Sequence, residues 1–111
     1  MVFAPAVAAV LFAQSLGGLV SYEEAVRCAG LTQAASELEG GESQEGRALY
    51  DAALYWSLAA MRAGTATGRT SQAAENDQTR ARIEGVRQLT ADTPAARAAL
   101  RQCRERAPKL D

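Results

Sequence analysis

Apolar residues recur at spacings of three and four along this chain, in runs separated by short stretches rich in Gly, Ser, Thr, Asp and Pro. No sustained stretch alternates apolar with polar as a half-buried strand does, so the pattern is that of helices. Ser21 followed by Glu24 has the form of a capping box, in which the serine oxygen takes a free backbone amide. Cys28, Leu31, Ala35 and Leu38 then lie on one face of a helix, and "EGGE" at 39–42 ends it. A second helix is predicted from about Ser43 to Ala63. Its stripe of Leu49, Ala53, Trp56 and Ala60 has a neighbouring stripe of Tyr50, Leu54, Ser57 and Met61. An apolar arc this wide can contact two partners, which predicts the second helix as the centre of the bundle.

"GTATGRTS" at 64–71 breaks the pattern, and Thr70 or Ser71 is placed to cap a third helix ending near Thr90. That helix is mostly polar. Ile83, Val86 and Leu89 give it a narrow apolar seam in its second half, and its first half is predicted to fray or lie exposed. Thr93 as cap with Pro94 at the first helical position starts a fourth helix, where the missing proline N–H costs nothing. Ala96, Leu100, Cys103 and Ala107 mark its inner face, and Pro108 stops it. The predicted fold class is therefore all-α, a small antiparallel bundle of three to four helices behind an apolar N-terminal segment.

That segment changes the picture. Residues 1–22 carry no charge, and Glu23 is the first. An apolar stretch from about Val2 to Ala13, followed by small residues at Ala13, Ser15, Gly17 and Gly18, reads as a secretory signal peptide, although no Lys or Arg opens it. Residues 1–18 are expected to be a signal peptide, with 19–111 a single helical domain. The alternatives are a retained apolar helix that anchors the chain in the inner membrane or joins the bundle.

The cysteines bear on the compartment. Cys28 and Cys103 are the only two, each falls on an apolar helix face, and one lies in the first mature helix and the other in the last. In a chain bound for an oxidising compartment they are expected to form a disulfide. Closing a loop of this length stabilises the fold by about 4 kcal/mol on the chain-entropy account, which matters in a domain with so thin a core.

Composition removes several chemistries. The formal charge of −1 lacks the basic excess of a nucleic-acid binder. The chain has no histidine, so the arrangements that activate a Ser or Cys nucleophile are missing. Two cysteines on separate helices do not make a zinc site. "GTATGRTS" has three residues between its glycines and Arg69 where a phosphate loop has lysine, and a helix rather than a strand precedes it. Glu37, Glu39, Glu42 and Glu45 crowd the first turn without the spaced, glycine-turned loop of a calcium site, and read as a solvated acidic turn. No catalytic residue, metal or cofactor is expected.

Charge is unevenly distributed: residues 1–68 carry three basic residues against seven acids, and 69–111 carry nine against six, so the two halves attract each other. Arg97, Arg101 and Arg104 share a face of the last helix, either as a solvated outer surface or as the seat of an anionic partner. Tyr50, Tyr55 and Trp56 pose the same choice between core packing and a recognition patch. The expected function is that of a small periplasmic or secreted helical protein acting through another protein, of adaptor, inhibitor or immunity type, with self-association compatible with the pattern. The alternatives are a membrane-anchored structural envelope protein and, further off, an enzyme using carboxylates.

Overall fold

The computed structural model describes residues 20–108. They form four helices: α1 (Tyr22–Glu39), α2 (Gln44–Ala66), α3 (Ser71–Ala91) and α4 (Pro94–Arg106), with no strand among the described residues. The signal-peptide reading of residues 1–18 falls outside them.

Each helix starts on a side-chain oxygen. Ser21, Ser43, Thr70 and Thr93 accept from the backbone N–H three residues on, at 3.1, 2.9, 3.0 and 3.1 Å. The capping box at α1 is half formed, because the Glu24 carboxylate pairs with Arg106 of α4 instead of closing back on the cap. Gly40, with φ of +89°, ends α1 in a backbone conformation that side chains avoid, and Asp92 in the left-handed region ends α3. α2 runs on through Gly64 to Ala66, a turn past the predicted end.

α1, rather than α2, is the hub. It packs against all three other helices, antiparallel to α2 and parallel to α3, and is buried on nearly every side through Ala25, Cys28, Ala29, Gly30, Leu31, Thr32 and Ala34. Small side chains explain this correction: they let neighbouring backbones approach from several directions, while the bulkier α2 turns only one face inward. Gly30 and Gly85 mark the α1–α3 crossing. A Cβ at Gly30 would lie 2.5 Å from the Ala81 carbonyl carbon and Cβ, and one at Gly85 would lie 3.0 Å from the Gly30 oxygen. Gly30→Ala is expected to destabilise the fold by about 1–3 kcal/mol despite alanine's better helix propensity, since backbone must move. Gly41→Ala, with nothing within 4 Å, serves as the control in denaturant melts and should shift stability little.

The core centres on Trp56, which is fully buried among Ala25, Cys28, Ala29, Ala60 and Cys103. Its indole N–H donates to the Cys103 carbonyl at 2.9 Å, which ties α2 to α4. Cys28 and Cys103 form the disulfide, with Cα atoms 5.4 Å apart and both residues buried, so the first and last of the four helices are joined covalently.

Further expectations need qualification or correction. The first half of α3 is largely exposed, as expected, but it is tied down rather than frayed. Ala74 is buried near Gly64, Asp77 accepts from the Tyr22 hydroxyl at 2.8 Å, and Gln78 accepts from Ser57 at 2.8 Å. These are mostly polar ties, which apolar periodicity cannot register. Ile83 is exposed, because α3 meets α1 through Ala81 and Gly85 rather than through the Ile83 seam, and Val86 and Leu89 are only half-buried. Leu38, in the last turn of α1, is also exposed, since the chain turns away there at Gly40.

Candidate interaction surface

Arg97, Arg101 and Arg104 of α4 do not form a free basic patch. Arg97 donates to the Asp92 carbonyl at 2.7 Å and pairs with its carboxylate at 2.9 Å. Arg104 meets Glu45 with both terminal nitrogens, one at 3.1 Å. Arg101 is exposed. Two of the three charges are therefore engaged by acids of the same chain, which leaves Arg101 as the part of this face open to an outside anion.

The hydrogen bond from Arg104, reinforced by its charge and partly opposed by burial, holds the Glu45 carboxyl below the ordinary glutamate value. A carboxylate whose folded-state pKa is depressed contributes stability above its unfolded pKa and loses it as pH falls through the folded value. Because the pair is half exposed, the contribution is screened and small. In a carboxyl NMR titration, Arg104→Gln should raise the Glu45 midpoint toward the ordinary value. An unmoved midpoint would remove Arg104 as its cause.

The uneven charge along the sequence becomes a set of ties between helices. Arg69 pairs with Glu23 at 3.7 Å and Arg82 with Glu37 at 3.3 Å, alongside the Arg104–Glu45 and Arg106–Glu24 pairs. Each joins a base of the second half to an acid of the first. Glu37 and Glu45 of the acidic turn are thereby drawn toward α3 and α4, while Glu39 accepts from Ser43 at 3.4 Å. Among the described residues no group of three or more acids or cysteines is placed to hold a metal ion.

Tyr22 was not singled out by its position behind a cap. It is buried, the Arg69 guanidinium lies 3.8 Å from its ring centroid, and its hydroxyl donates to Asp77. Burial first, then the hydrogen bond and charge of Asp77, push its phenol above the ordinary tyrosine value, so it is a neutral donor near pH 7. This cluster braces the α1–α3 groove, which measures about 490 Å³ and also has Arg27, Arg80 and Glu84 along it.

The three aromatics of α2 separate. Trp56 lies in the core, and the Tyr55 ring packs edge-on against it with centroids 5.1 Å apart. Tyr50 faces outward, half exposed, at the start of a row in which Leu54 and Leu58 follow at four-residue intervals, with 43% and 59% of their surfaces open. Tyr50, Leu54 and Leu58 thus form an apolar ridge on the outside of α2 that no other described helix covers. Beside Leu58 the ridge opens into a groove of about 610 Å³ between the start of α1 and the second half of α2, floored by Tyr55, Ala59, Ala63 and Ala66. The width of the apolar arc on α2 was visible in the sequence; that its second stripe splits, with Ser57 and Met61 meeting Gln78 of α3 while Tyr50 and Leu54 stay exposed beside Leu58, was not. No described helix is long and apolar enough to cross a membrane. Comparison with known protein families, with curated proteins and with solved structures returned no match.

Proposed function

We propose that this chain is a small exported helical protein that works by binding another protein, without catalysis, and that it does so through the outer face of α2. The observation that carries this reading is the ridge of Tyr50, Leu54 and Leu58 with its adjoining groove. Three large apolar side chains in register on an otherwise charged, arginine-rich surface cost solubility, and such a patch is characteristic of a docking site. A tyrosine at its end supplies both apolar area and a polar tip, as interface anchors commonly do.

Export is supported by the buried Cys28–Cys103 disulfide, since such bonds persist in oxidising compartments and are rare elsewhere. The uncharged start of the chain points the same way. The non-catalytic reading is supported by the lack of histidine and by the pairing of Glu23, Glu24, Glu37, Glu45 and Asp77 with arginines rather than with one another.

Site-specific photo-crosslinking in the host tests the surface. A photoreactive residue at Leu54 or Leu58 is expected to give one discrete adduct, and the same residue at exposed Gln72 on α3 none. Equal adducts at all three positions, or none at Leu54 and Leu58, would refute the assignment of this face.

A further inference from the structure

We propose that the seat of α4 on α1 and α2 is an interaction surface for a second copy of this chain, so that two copies exchange their last helices and close the Cys28–Cys103 bond between chains. The ties of α4 run past the helix that precedes it. Cys103 is bonded to Cys28 of α1 and its carbonyl accepts from Trp56 of α2, while Arg104 pairs with Glu45 at the start of α2 and Arg106 with Glu24 of α1. On the side of α3, Arg97 reaches only Asp92, in the turn between the two helices. The fourth helix is therefore a ligand tethered to a receptor made by α1 and α2.

The tether opens at little cost. Ala91, Asp92, Thr93, Pro94 and Ala95 are all exposed, so straightening the turn breaks no buried contact of its own. Only Asp92 and Thr93 separate the helices, and Asp92 holds φ of +57°, a left-handed backbone that costs a residue with a side chain energy. A short turn under such strain favours exchange between copies. Thr93 is extended ahead of Pro94, which keeps α3 and α4 two separate helices in either form. The arriving helix has the same sequence as the one that left, so every contact within the seat is recovered in the exchanged pair.

Concentration then sets the balance. A short tether is worth about a millimolar of free helix, and well below that level the chain closes on its own α4. Oxidation fixes whichever helix is seated: the thiolate of one cysteine attacks a disulfide oxidant and releases its first thiol, and the other cysteine attacks the mixed disulfide and releases the second. The exchange does not depend on the reading of α2 as the docking face. It leaves Tyr50, Leu54 and Leu58 of both copies outside the seat, so on that reading the pair is bivalent.

The test mixes equal amounts of isotopically light and heavy full-length chain, reduced, and oxidises them with glutathione disulfide at about a millimolar and at roughly a hundredfold below it. The expected result is a covalent dimer, free of thiols, whose share is at least about tenfold larger at the higher concentration. About half of its Cys28–Cys103 peptides should join a heavy chain to a light one, and its residues 94–106 should be as protected from hydrogen exchange as in the monomer. Three results would overturn the proposal: no covalent dimer at the higher concentration, a dimer linked Cys28 to Cys28 or Cys103 to Cys103, or a dimer whose residues 94–106 have lost protection and so lie outside any seat. Crosslinking through Leu54 reports on the docking face separately, so either idea can fail while the other stands.

Discussion

Removing the staple with Cys28→Ala and Cys103→Ala is expected to lower stability by about 4 kcal/mol and Tm by roughly 20 °C relative to the oxidised protein. The bond closes a 75-residue loop from the first described helix to the last, so nearly every contact in the bundle lies within the stretch it constrains. Opening it is felt first at α4. That helix has 13 residues, too few to be stable alone in water, and it buries only Ala96 and Cys103 among its own residues. Without the disulfide, α4 is held by the Trp56–Cys103 hydrogen bond, the Arg104–Glu45 and Arg106–Glu24 pairs, and the buried Ala107 behind it. Hydrogen exchange should therefore show residues 94–106 losing protection before α1 and α2 do. A variant that melted within a few degrees of the parent, with α4 amides still protected, would mean that packing alone holds the bundle closed.

Trp56→Ala should be at least as damaging. The indole is fully buried where α1, α2 and α4 meet, and its removal leaves a hole that the surrounding alanines are too short to fill. The expected cost is about 3–5 kcal/mol for the cavity, with about another 1 kcal/mol because the Cys103 carbonyl loses its donor. In a domain of this size that consumes most of the available stability. Trp56→Phe separates the contributions, since it keeps most of the ring volume and loses only the N–H. Its cost in urea melts should be less than half that of the alanine variant. Equal losses would place the stabilisation in the hydrogen bond rather than in the packing.

What could be read from the sequence, and what could not, divides by the kind of force involved. Helix starts were legible because capping is local: a Ser or Thr three residues ahead of a backbone amide satisfies it whatever the tertiary context. The disulfide was legible because two cysteines on inward faces left a single pairing. The centrality of α1 was hidden, since alanine and glycine add little apolar contrast while permitting the closest helix approaches, as at Gly30 and Ala81. The docking of α3 was hidden for a related reason: Tyr22–Asp77 and Ser57–Gln78 join residues far apart in sequence through polar atoms. On α2, periodicity identified the stripe of Tyr50 and Leu54 as apolar, but periodicity marks a face without showing whether any helix covers it. The pairing of Arg97 and Arg104 with Asp92 and Glu45 likewise depends on which acids the fold brings near.

The proposed function joins a compartment to a surface, an exported, stapled bundle that would present the outside of α2. Its most direct test is the intact mass of the protein recovered from its own host, measured without reductant after treatment with a thiol alkylator under denaturing conditions. The account predicts a single species that takes up no alkylator, carries the mass deficit of one disulfide, and begins between residues 14 and 19. A species that begins at Met1 and accepts two alkyl groups would contradict it.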